Sequence, residues 1–148
     1  MGLGGFIDGI VFHQILQWHH MFSEVDGYPS TTVQGLEGNT LWDGLFHAVA
    51  YLFVLAGVTL LWHRRRGANT ARSWRRVVGW ALAGWGLFNL VEGIVDHQIL
   101  TVHHVNSDNV MLWDILLLIL GAMLLLGGLA LARSGARAEE EALARPGG

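Results

Sequence analysis

The chain has 148 residues, 52% hydrophobic and 14% charged, with a formal net charge of −3 and a mean hydropathy of +0.40. Charge this sparse does not cover an ordinary soluble surface, so a lipid-facing single domain is expected and nucleic acid is not an expected partner. The absence of cysteine removes disulfides and thiolate metal sites, which leaves His, Asp, Glu and Met as the strong ligand types.

In chain order, apolar stretches at about 3–22, 42–62, 77–104 and 111–132 are each long enough to cross a ~30 Å hydrocarbon core as a helix. The expected fold is therefore all-α, an integral membrane four-helix bundle over residues 1–132, followed by a cytoplasmic tail, 133–148. A soluble bundle is disfavoured because Leu112 to Leu131 surround their helix with apolar side chains and carry one charge, Asp114. The N-terminus lacks a basic region and a clear cleavage site, so the first stretch reads as a retained helix.

All nine basic residues are Arg, and none precedes Arg64. Arg64, Arg65, Arg66, Arg72, Arg75 and Arg76 crowd the central loop, and Arg133, Arg137 and Arg145 the tail, so both are expected in the cytoplasm together with the N-terminus. The segments 23–40 and 105–110 carry Glu24, Asp26, Glu37 and Asp108 without Arg and are expected outside. This is the topology of a multi-pass protein of a bacterial inner membrane.

The chain repeats itself. Asp8-Gly9-Ile10-Val11-Phe12-His13-Gln14-Ile15-Leu16-Gln17-Trp18-His19-His20 aligns without gaps on Glu92-Gly93-Ile94-Val95-Asp96-His97-Gln98-Ile99-Leu100-Thr101-Val102-His103-His104, and Leu41-Trp42-Asp43 matches Leu112-Trp113-Asp114. Two parallel helical hairpins related by a pseudo-twofold axis along the membrane normal are expected.

With this doubled motif the chain resembles a bacterial family of small four-helix integral membrane proteins, over nearly its whole length to residue 132. The resemblance implies no activity. It implies recurring polar positions at Asp8, His13, His19, His20, Asp43, His47, Glu92, His97, His103, His104 and Asp114, and it points to an oxidase-assembly or electron-transfer protein as a partner. Asp96, opposite Phe12, departs from the repeat.

Depth follows from helical rise. At ~1.5 Å per residue from the nearest cytoplasmic Arg, Glu92, His47 and Asp114 all lie about 24–28 Å up. Asp43 and His97 both come out at ~31 Å by the same rule, and the repeat adds Asp8 and His13. His13 and His20 are seven positions apart on one helix face, ~10 Å different in height, as are His97 and His104. Two layers are therefore expected. The lower combines His13, His47, His97, Asp8, Glu92, Asp43 and Asp114 as metal ligands, and His19, His20, His103 and His104 form a second metal or entry site near water.

Ionisable groups at depth cost ~2.5–3.5 kcal/mol each on insertion scales, so they need partners or a wet cavity. Interhelical hydrogen bonding explains any single His, whereas four acids and three His at one depth suit a transition metal, copper or iron above all. Glu-x-x-His pairs of the ferritin-like kind are absent. The leading reading is a membrane-embedded metal protein acting in redox chemistry or metal handling, with a metal-dependent oxidoreductase as its enzymatic form. The alternatives are a divalent-metal or proton transporter, and a haem protein with His13 and His97 as axial ligands. Oligomeric state stays open.

Overall fold

The computed structural model describes residues 1–65 and 73–144. The chain is all-helical in four helices. Helix α1 runs over Gly2–Asp8 and continues as π-helix over Gly9–Ile15, α2 covers Val33–Arg65, α3 covers Trp74–Glu92 and continues as π-helix over Gly93–Ile99, and α4 covers Val110–Ala144. The expected loop Arg66 and Arg72, and Arg145 of the tail, lie outside the described residues.

Three of these helices are long and apolar enough to cross a membrane: Val33–His63, Trp74–Ile99 and Val110–Ala144. A fourth crossing was expected from helix α1 over about 3–22. Helix α1 has seven α-helical and seven π-helical residues, about 21 Å at ~1.5 Å per residue. Its first turn packs beside Ala50 and Val54, well short of the Arg-bearing end of α2.

Exposure is inverted relative to a water-soluble bundle. Leu45, Val49, Leu52, Leu116, Ile119 and Leu126 face outward, whereas Asp8, His13, Asn39, Asp43, Asn89, Glu92 and Asp114 are buried. In lipid an apolar exterior is satisfied, and polar groups are driven inward to find partners. Helices α3 and α4 approach closely through small residues: a Cβ on Gly79, Gly86 or Gly128 would run into the backbone of the facing helix. Helix α4 also extends beyond residue 132 into the expected tail. There Glu139 accepts from Arg76 at 2.6 Å and from the Ser73 backbone N–H at 2.8 Å.

The outer end differs most from expectation. Helix α1 stops at Ile15 and α3 at Ile99, instead of running on to 22 and 104. Each ends in a backbone bond of π type, Leu16 N–H to Val11 O and Leu100 N–H to Val95 O, both 2.8 Å. The next residues, Gln17 and Thr101, then adopt left-handed φ angles of 50° and 48°. For side chains other than glycine that conformation costs about 1–3 kcal/mol and persists only where the surroundings impose it. Here it reverses the chain, so that residues 18–20 and 102–104 fold back over the helix ends.

Helix α2 starts earlier than expected, because Thr32 Oγ1 accepts the Gly35 N–H at 3.2 Å and caps it. On its added turns, fully buried Asn39 donates to Tyr28 O and Gly35 O and accepts from the Phe22 N–H, pinning the loop 16–32 onto α2.

A candidate metal centre

The centre lies beneath the two reversed segments. His13 comes from the π-helical end of α1, Glu92 from the last α-helical turn of α3, and His19 and His103 from the loops that fold back over them. One ligating atom from each of these four side chains lies within 4.8 Å of the others. They are 1%, 5%, 4% and 1% exposed, respectively, so bulk water does not solvate them. The imidazoles pack as a block: His13 on His19 edge-on at 4.5 Å between ring centroids, and His19 stacked on His103 at 4.7 Å.

The far nitrogen of most rings is occupied. His13 Nδ1 is 2.8 Å from Asp43 Oδ1, His19 Nδ1 3.0 Å from Val105 O, and His103 Nδ1 3.2 Å from Met21 O. An imidazole whose Nδ1–H is donated in this way holds its Nε2 as a free lone pair, the usual support for a metal-ligating His. The Nε2 atoms of His13, His19, His97 and His103 are all buried without a hydrogen-bond partner, as are Glu92 Oε2 and Asp8 Oδ2. Asp8 Oδ2 is nonetheless 3.1 Å from His13 Nε2, off the line of a hydrogen bond. Two donors bound side by side to one ion at ~2.1 Å stand ~3 Å apart.

Asp43 and Asp114, expected as ligands, each contact histidine Nδ1 atoms. Asp43 takes His13 Nδ1, His20 Nδ1 at 2.8 Å and the Met21 N–H at 2.9 Å, with Gln14 at 3.5 Å. Asp114 takes His104 Nδ1 at 2.8 Å, the Val105 N–H at 3.2 Å and Gln98 at 3.1 Å. His97 Nδ1 lies 3.0 Å from Asp114 Oδ1 at an angle poor for a hydrogen bond, so that contact is electrostatic. His20 and His104 therefore belong to the carboxylates, away from the centre.

His47 is also elsewhere. Its Nδ1 contacts Asp43 O at 2.7 Å within its own helix, and its Nε2 occupies the space that Gly9 leaves open. The expected division into two layers is replaced by one centre, since chain reversal brings His19 and His103 down to His13 and Glu92. Sequence reasoning missed the carbonyls of Met21 and Val105, because a backbone acceptor has no residue-type signal, and it missed Asn39.

His19 and His103 lie outside the spanning helices. Burial, then the neighbouring His13, pushes the His19 imidazole down to about 4. Burial, then the facing His19, His97 and His13, holds His103 well below the ordinary imidazole range. Both rings are thereby neutral near pH 7, the form that ligates.

The donor set, three imidazoles and a carboxylate, suits copper, iron or zinc. Over the centre lies a polar cavity of about 310 Å³ walled by Gln17, Trp18, His19, His20, Glu24 and His104. His19 thus belongs to both the centre and the wall that faces the outer loops.

No curated protein and no solved structure matches the chain. Residues 1–135, which carry all four donors, match the model of a family described as a predicted membrane protein, DUF2243, and the chain belongs to that family.

Proposed function

We propose that the chain is a membrane-embedded transition-metal protein that holds copper or iron on His13, His19, Glu92 and His103, and that it acts in redox chemistry or metal handling. The observation that carries this reading is the convergence of unpartnered, buried Nε2 and carboxylate atoms whose opposite edges are mostly tied down.

The Arg-bearing end of the bundle faces the cytoplasm of a bacterial inner membrane, and the centre with its polar cavity faces the outer side. The two halves act as pseudo-twofold equivalents. Asp43 stands to His13 and His20 as Asp114 stands to His97 and His104, and His19 bonds Val105 O as His103 bonds Met21 O. Toward the cytoplasm, the α3–α4 contact closes tightly on Gly79, Ala83 and Gly128, which favours a resident metal over conduction. A centre near the outer surface suits exchange of electrons or metal with an external electron-transfer or oxidase-assembly partner.

The test is element analysis of protein purified without added metal, with an absorption spectrum. Copper or iron without a Soret band is expected in the wild type, and little metal in a folded His13→Ala/Glu92→Gln variant. Equal metal content in the two proteins overturns the assignment.

A further inference from the structure

Among the described residues, six buried side chains, not four, present an atom without a hydrogen bond at the centre: Asp8, His13, His19, Glu92, His97 and His103. A single six-coordinate ion with ~2.1 Å bonds would hold its most distant donors ~4.2 Å apart. Only His13, His19, Glu92 and His103 approach that limit mutually, and Asp8 and His97 stand outside their set. Each has its own neighbour in the set. Asp8 lies against His13 at 3.1 Å, whereas His97 lies against His103 at 4.8 Å between ring centroids and 6.3 Å from His19.

The donors therefore fall into two pairs, Asp8 with His13 and His97 with His103, and His19 and Glu92 lie close to a member of each. Glu92 reaches both ends: one of its carboxylate oxygens lies within 4.8 Å of a ligating nitrogen of His13, and its Oε1 lies 3.8 Å from His103 Nε2. A carboxylate so placed is positioned to bridge two ions at the ~3.5–4 Å spacing of dinuclear sites.

We infer that the centre holds two metal ions that share Glu92, one bound on the Asp8 and His13 side and the other on the His97 and His103 side. This rests on the metal reading proposed above and extends it. The donors also divide evenly by sequence, since each copy of the repeated motif contributes one carboxylate and two imidazoles. His97, which has no place in a mononuclear set, acquires one.

The test uses the full chain in detergent, loaded separately with Cu(II) and with Fe(II), freed of excess and assayed for metal per chain. Two ions per chain of the retained metal are expected, with a metal–metal distance of ~3.5–4 Å by X-ray absorption. His97→Ala should lower the ratio from two to one in a protein that remains monodisperse, and Asp8→Asn should do the same from the other side. One ion per wild-type chain overturns the second ion and leaves the metal reading standing. No bound metal overturns both. Retention of two ions by His97→Ala overturns the assignment of that flank.

Discussion

Replacing Asp43 by asparagine separates an orienting role from a ligating one. The carboxylate accepts from His13, His20 and the Met21 N–H at 2.8–2.9 Å, and touches nothing else in the centre. The substituted amide has one acceptor oxygen in place of two and carries no charge, so at least one of these bonds is lost. A hydrogen bond to a charged group contributes about 1.5–3 kcal/mol. Removal of such a supporting carboxylate typically lowers metal affinity 10–100-fold, or about 1.4–2.7 kcal/mol. Asp43→Asn should therefore bind 10–100-fold more weakly in a chelator competition yet reach wild-type stoichiometry at saturation. His13→Ala, by contrast, should lose stoichiometry. If saturated Asp43→Asn holds less metal than wild type, Asp43 is a ligand and the orienting role is wrong. Unchanged affinity would refute any role.

His47→Ala should keep the full metal content, because its Nδ1 is engaged by Asp43 O within α2 and its ring lies beside Gly9; metal loss on that change would restore His47 to the centre. Acidification should destabilise the metal-free protein. The folded-state value of His19, about 4, lies below its ordinary 6.5, so the folded state takes up fewer protons across that window, and stability present above 6.5 is lost as pH falls toward 4. Thermal unfolding in detergent checks this, and a midpoint that rises between pH 6.5 and 4 contradicts it. Gly128→Leu should separate α3 from α4, since even a Cβ there meets the Ala83 backbone. The cost should exceed about 3 kcal/mol of bundle stability, read as a lower unfolding midpoint, and an unchanged midpoint would deny the close contact.

The residue types at the centre were legible because the doubled motif isolates them and because carboxylates amid lipid-facing Leu and Val demand partners. Counting rise from the Arg clusters brought Glu92 to the outer end of the bundle. The chain reversals were not legible: Gln17 and Thr101 carry no glycine or proline signal, and their left-handed φ is imposed by tertiary bonds such as His19 to Val105 O. Without them, helical spacing kept His19 and His103 away from His13. The early start of α2 was not legible because residues 33–41 lie before the apolar stretch; there Gly35 and Gly38 serve as contact points for Pro29 and Tyr28. The short α1 escaped notice because apolar residues continue to Phe22, past the helix end.

The central claim, a buried centre of imidazole and carboxylate in the membrane, is tested most directly by X-ray absorption at the edge of the metal that the purified protein retains. A first shell of nitrogen and oxygen at ~2.0–2.2 Å is expected, with imidazole scattering from at least three rings and no sulfur. A sulfur shell from Met21 or Met111, or scattering from fewer than three imidazoles, would contradict it.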